Sequence, residues 1–154
     1  MKHLETGDAT LYEVRICEIG HHNPPDFPKC RICGAALDET VNVANPKVGW
    51  VRSSDGQTVA LEGTILVGRA PETHGTSGVN ALTSPPELVE ISRQHVRIDQ
   101  DGWQVSVTDL GSNNGTLLQR SGGDTLNLTP HRAYNVQPGD VLQLGETYSL
   151  KFEA

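Results

Sequence analysis

Two sets of residues in this 154-residue chain have the types and spacing to do chemistry. The first is Cys17-x3-His21-x8-Cys30-x2-Cys33-Gly34, three thiols and an imidazole in two closely spaced groups. Thiolate sulfur and imidazole nitrogen suit Zn²⁺, and four protein donors leave no open position for water, so the spacing predicts a structural zinc site rather than a catalytic one. His21 is the expected fourth ligand, with adjacent His22 as the alternative. The cysteine count is odd and all three lie within the first 33 residues, which argues against a disulfide framework. Pro24, Pro25 and Pro28 leave little apolar sequence nearby to bury thiols, so the metal would supply the folding energy of this segment.

The second set is spread over three segments: Gly68-Arg69, Ser92-Arg93-Gln94-His95, and Asp109-Leu110-Gly111-Ser112-Asn113-Asn114-Gly115-Thr116. Two guanidinium groups, a hydroxyl and two amides supply the charged and neutral donors that a doubly ionised phosphate ester requires. A nucleophilic triad can be drawn from Ser92, His95 and Asp109. Its geometry is wrong, because residues three apart in an extended segment project to opposite faces. No Gly-x-Ser-x-Gly elbow presents the serine either, so binding without catalysis is expected.

Charge narrows the choice of ligand. With 12 basic and 19 acidic residues the net charge is -7, which argues against a broad nucleic-acid footprint and makes any anion site local. Lys29 and Arg31 flank Cys30, but Glu18, Asp26, Asp38 and Glu39 surround them, so the cysteine module does not read as a nucleic-acid reader. No apolar run approaches the roughly 20 residues that span a bilayer, and the opening residues form no signal-peptide core, so no membrane contact and a cytoplasmic location are expected.

The elements that must position these groups are short strands. The pattern predicts a tail or short strand over 1–16, a zinc-ribbon-like knuckle over 17–40, a linker over 41–48 and a β-domain over 49–154. Within the last, strands are predicted at 49–52, 58–61, 65–67, 88–89, 96–99, 103–109, 116–118, 126–128, 133–136, 141–144 and 148–152, separated by turn clusters such as Ser54-Asp55-Gly56, Asp101-Gly102 and Pro138-Gly139-Asp140. The alternation in Trp103-Gln104-Val105-Ser106-Val107 puts Trp103, Val105 and Val107 toward the core. The polar, proline-broken stretch between Arg69 and Ser92 is expected to be a surface loop.

The order of the three donor segments, their framing by strands, and the later Pro138-Gly139-Asp140-Val141-Leu142-Gln143-Leu144-Gly145 run resemble forkhead-associated (FHA) domains over roughly residues 49–154. That resemblance implies an all-β, FHA-type sandwich of about eleven strands that binds a phosphothreonine-containing protein downstream of a Ser/Thr kinase. It implies that Arg69 binds phosphate oxygens, Ser92 donates its hydroxyl to the phosphate, and Arg93 adds charge at the rim. Asn113 would contact the phosphate or its threonine, and Asn114 the peptide backbone. Gly68, His95 and Gly115 would support the loops, and Asn113 stands where many family members carry Thr or Ser. The Cys/His segment looks like short ribbons that accompany FHA domains in some bacterial proteins. Two alternatives accompany this reading: a switch in which phosphorylated Thr6 or Thr10 docks in the chain's own site, and a scaffold that keeps the FHA surface without phosphate chemistry.

Overall fold

The computed structural model describes residues 3–6 and 9–154 and the side chains from Leu11 onward. Among the described residues the secondary structure is entirely strand and turn, and no helix is long and apolar enough to cross a membrane. Contacts divide the chain into two units, one reaching Val48 and taking in residues 101–103, the other holding 49–100 and 104–154.

The N-terminal unit is a small antiparallel sheet of β1 (His3–Thr6), β2 (Ala9–Cys17), β3 (His22–Asn23) and β4 (Leu37–Val43), with β2 pairing to all three others. The stretch read as tail or short strand holds β1 and β2, a hairpin with Glu5 opposite Thr10, and residues 41–43 of the stretch read as linker close β4. The side chains of Thr6 and Thr10 lie outside the described residues. Apolar burial here is slight, with Cys17, Cys30 and Leu37 forming one cluster that Ala35 packs against. At about 1.5 to 3 kcal/mol per large buried side chain, so few residues cannot offset the ordering of some forty.

The second unit has eleven strands: β5 (Trp50–Ser53), β6 (Thr58–Ala60), β7 (Thr64–Gly68), β8 (Val79–Thr83), β9 (Val96–Asp101), β10 (Gln104–Asp109), β11 (Thr116–Gln119), β12 (Thr125–Asn127), β13 (Ala133–Val136), β14 (Val141–Leu144) and β15 (Tyr148–Glu153). They form an all-β sandwich with sheets ordered β13-β10-β9-β7-β8 and β12-β11-β14-β15-β5-β6. Alternation supplies the core: Ile65 and Val67, Val96 and Ile98, Val105 and Val107, Leu142 and Leu144, and Tyr148, Leu150 and Phe152 are all buried.

Three expectations require correction. The stretch between Arg69 and Ser92 is not all loop, because Val79–Thr83 is a strand pairing parallel to β7 and burying Leu82 completely. Leu88–Val89 is not a strand: bonds from Leu88 N to the Pro85 carbonyl and from Ile91 N to the Leu88 carbonyl wind it into turns, and Val89 is 74% exposed. Trp103 precedes β10 and is half-buried, grouping with the N-terminal unit, where the Arg31 guanidinium lies 5.1 Å from its ring centroid.

Candidate functional site

Arg69 leaves the end of β7 immediately after Gly68. The backbone bonds Arg69 N to Ser92 O and Ala70 N to Arg93 O, both 3.1 Å, attach it to the loop before β9. That contact requires glycine at 68, since a Cβ there would overlap the carbonyl oxygen of Arg93. The Arg69 Nε donates to the Ile91 carbonyl at 2.5 Å, and no partner for its two terminal nitrogens occurs among the described residues. A guanidinium held by one edge presents its other donors as a rigid fork.

The third loop joins the second through side chains. Ser92 Oγ accepts the backbone N–H of Asn113 at 3.1 Å, and Asn114 Nδ2 donates to the Glu90 carbonyl at 2.9 Å. His95, fully buried, spans both loops: its Nδ1 accepts from Ser92 N at 3.0 Å, which leaves Nε2 protonated to donate to the Gly115 carbonyl at 2.9 Å. Burial of the ring lowers its pKa, outweighing the upward pull of the Gly115 carbonyl and the Asp109 charge. Both ring nitrogens are engaged with main-chain groups, so His95 is not placed to take a proton from the Ser92 hydroxyl. The structure thus brings Arg69, Ser92, Asn113 and Asn114 into one hydrogen-bonded set of loops, with Arg93 exposed at its edge.

Asp109 at the end of β10 is the residue that sequence reading undervalued. Its Oδ1 accepts Gly111 N at 2.8 Å and Ser112 N at 2.9 Å, and its Oδ2 accepts the hydroxyls of Ser112 and Thr116, both at 2.6 Å. Burial alone would raise its pKa, but the Ser112 and Thr116 hydroxyls and the two N–H groups reverse that, holding it below the usual carboxylate range. The loop carrying both asparagines is wound around this carboxylate. The available signal was Asp followed at two and three residues by Gly and Ser, the pattern of an Asx turn. Glu90, whose carbonyl fixes Asn114, carried no such signal.

In the N-terminal unit one ligand atom each from Cys17, His21, Cys30 and Cys33 lies within 4.8 Å of the others, a group able to hold a metal ion. Cys17 Sγ and Cys30 Sγ stand 3.4 and 3.5 Å from His21 Nδ1, and Cys33 Sγ is 3.8 Å from Cys17 Sγ, too far for a disulfide. His22 is elsewhere, its Nδ1 accepting the Lys47 backbone N–H at 3.0 Å. The Cys30 turn closes with Gly34 N on the Cys30 carbonyl at 2.9 Å, and Gly34 adopts φ +73°, which glycine alone takes without strain. Burial would raise the Cys30 thiol, but backbone N–H groups of Cys33 and Ile32, with Asn23 and Cys33 side chains, bring it down to about 5. Buried Asn23, unremarked in the sequence, organises the loop by donating to the His21 and Arg15 carbonyls and accepting Arg31 N at 2.7 Å.

The FHA domain family model matches residues 65–145. An Arabidopsis thaliana FHA domain-containing protein is 42% identical over 60 residues, which is 39% of this chain and 14% of that protein, so the match spans a small part of that relative's length. The solution structure of the FHA domain of an Arabidopsis thaliana hypothetical protein superposes with a TM-score of 0.50 at 30% identity, covering 69% of this chain and 86% of that one. The FHA domain of human APLF, in complex with an XRCC1 bisphospho peptide, gives a TM-score of 0.52 at 24% identity over 69% of this chain and 98% of that one, a likeness of fold.

Proposed function

Because this chain belongs to the FHA domain family, we propose that its second unit is a phosphothreonine-dependent protein-binding module and that its N-terminal unit is held together by structural zinc. The observation that carries the first part is the knitting of the three donor loops through Ser92, His95 and Asn114, with the terminal nitrogens of Arg69 left to meet an anion. Arg69 takes the phosphate oxygens, Ser92 donates its hydroxyl, and Arg93 adds a second charge from the rim. Asn113 contacts the phosphate or its threonine, and Asn114 holds the peptide backbone. Such a module acts after a Ser/Thr kinase has modified its partner, and its chemistry is recognition rather than turnover.

Zinc is supported by distance. Around a tetrahedral ion with Zn–S of about 2.3 Å and Zn–N of about 2.0–2.1 Å, sulfurs lie about 3.8 Å apart, and sulfur and nitrogen about 3.6 Å. The separations of 3.8 Å between Cys33 and Cys17 and of 3.4 and 3.5 Å from His21 to Cys17 and Cys30 are close to that geometry, and the remaining pairs lie within 4.8 Å. Three reduced cysteines holding a metal suit a reducing compartment, so a cytoplasmic location belongs to the same reading.

The deciding experiment is a calorimetric titration of paired peptides that differ only in phosphorylation of one threonine. The phosphorylated peptide is expected to bind, and Arg69→Ala to weaken it about 30-fold, equivalent to about 2 kcal/mol. Equal affinity of the two peptides, or an unchanged constant in the variant, would refute the assignment.

A further inference from the structure

The three sulfurs of the N-terminal unit do not stand in equivalent surroundings. Cys17 is 1% exposed and Cys30 4%, whereas Cys33 is open to solvent. The Cys30 sulfur is held inside the turn it opens, accepting the backbone N–H groups of Ile32 at 3.4 Å and Cys33 at 3.5 Å. Cys17 Sγ lies instead against side chains, His21 Nδ1 at 3.4 Å and Cys33 Sγ at 3.8 Å. Cys17 closes β2 beside a register shift at residues 15–17, and Cys33 sits in the turn that Gly34 N closes on the Cys30 carbonyl. A sulfur–sulfur bond is about 2.05 Å long, so Cys17 and Cys33 need to approach by only about 1.8 Å to form one.

We propose that Cys33 and Cys17 are a redox pair: a hydroperoxide oxidises the exposed Cys33, Cys17 closes on it as a disulfide, and the metal is discharged. The inference rests on the structural-zinc reading above. In the first step the Cys33 sulfur takes one oxygen of the peroxide, the O–O bond breaks, and the other oxygen leaves as alcohol or water, giving a sulfenic acid. In the second the Cys17 sulfur attacks that sulfur, the S–S bond forms, the S–O bond breaks, and the departing hydroxide takes a proton to become water. Two thiols and one hydroperoxide thus give one disulfide, one alcohol and one water, the sulfurs losing the two electrons that the peroxide gains. Buried Cys17 meets the oxidised sulfur without itself needing access to solvent, and Cys30 stays with its two N–H donors. His21 and Cys30 are then the donors left, two where a closed zinc site uses four. The disulfide joins the segments that the metal had joined, the end of β2 and the Cys30–Gly34 turn, so the cation departs while the chain remains linked.

The test treats the intact, metal-loaded chain with hydrogen peroxide in the presence of a metallochromic dye, then alkylates free thiols and maps disulfides without reduction. Tryptic cleavage after Lys29 and Arg31 puts the three cysteines on three different peptides, so each pairing is distinguishable. Zinc release should track the fall of titratable thiols from three to one, with Cys17 linked to Cys33 and Cys30 alkylated. A thiol reductant with added Zn²⁺ should restore all three thiols and the bound metal. A principal disulfide that includes Cys30, Cys33 oxidised beyond the sulfenic acid with no disulfide formed, or zinc retained under excess peroxide would overturn the redox pair while leaving the zinc site standing. Protein that purifies without zinc and takes up none would overturn the zinc reading, and with it the discharge of metal; the disulfide map of that protein still decides whether Cys17 and Cys33 pair.

Discussion

Truncating Asp109 to alanine should be among the most damaging single changes in the second unit, although the residue carries no ligand. Four donors converge on its carboxylate, two from backbone and two from hydroxyls, and it is 1% exposed. Hydrogen bonds to a charged acceptor contribute about 1.5 to 3 kcal/mol each, but Gly111 lies near water and recovers part of its bond. The Thr116 hydroxyl, 2% exposed, recovers none. Asp109→Ala is therefore expected to cost about 3 kcal/mol or more, and Asp109→Asn, which keeps one oxygen for the backbone donors, about half as much. Urea titrations followed through the amide signals of Val107 and Leu142 isolate the second unit. Since the folded pKa of Asp109 is depressed, its contribution is complete above the unfolded value of about 3.9 and is lost as pH falls through the folded one. The gap between native protein and Asp109→Asn should thus hold steady at neutral pH and narrow below about pH 4. A loss under about 1 kcal/mol for the alanine variant, or a gap that widens in acid, would refute the account.

Gly68→Ala should lower stability by about 2 kcal/mol or more and weaken phosphopeptide binding alongside, because the new methyl pushes the Ser92–Arg93 backbone off β7; denaturation and calorimetry read the two effects. His95 has a folded pKa below its unfolded one, so protonation favours unfolding, and its penalty should develop as pH falls through the unfolded value of about 6.5; its imidazole proton shift should titrate at lower pH than that of an unfolded histidine. Metal analysis of protein purified without chelator should find zinc equimolar with chain. Chelation or Cys17→Ser should collapse the amide dispersion of residues 14–43, because the thiol cluster supplies most of their core.

What could be read from the chain depended on how many side chains each element buries. Strands such as β9, β10 and β14 bury alternate residues and announce themselves; β8 buries only Leu82 of Val79-Asn80-Ala81-Leu82-Thr83, because it lies at a sheet edge, and so reads as polar loop. Leu88-Val89 misled in the opposite sense, an apolar pair that Pro85 and Pro86 hold in turns. In the N-terminal unit β4 opens with Leu37-Asp38-Glu39, one buried residue followed by two exposed charges, and its strand character comes from pairing with β2. The two histidines show where spacing stops being informative. His22 pairs with Ile16 in β3 and meets Lys47, twenty-five residues on, a contact that no local pattern encodes. The donor loops were legible because guanidinium, hydroxyl and amide types stand out one by one; the carboxylate that winds one of those loops does not.

Because β8 runs parallel to β7, residues 69–78 must carry the chain from the sheet end that bears Arg69 to the opposite end, where Gly78 O receives Thr64 N at 2.9 Å. The left-handed residues His74 and Gly75 lie midway along that crossover. Chain added at this point is paid out on the return path, while Gly68 and Ser84 stay bonded at 2.8 Å across the sheet. Doubling the crossover costs only about 0.6 kcal/mol of closure entropy. Length variation, a reporter sequence or a further loop can therefore be carried at His74-Gly75 without altering the register of the loops around Ser92 and Asn113, which Arg69 and Ala70 stay bonded to.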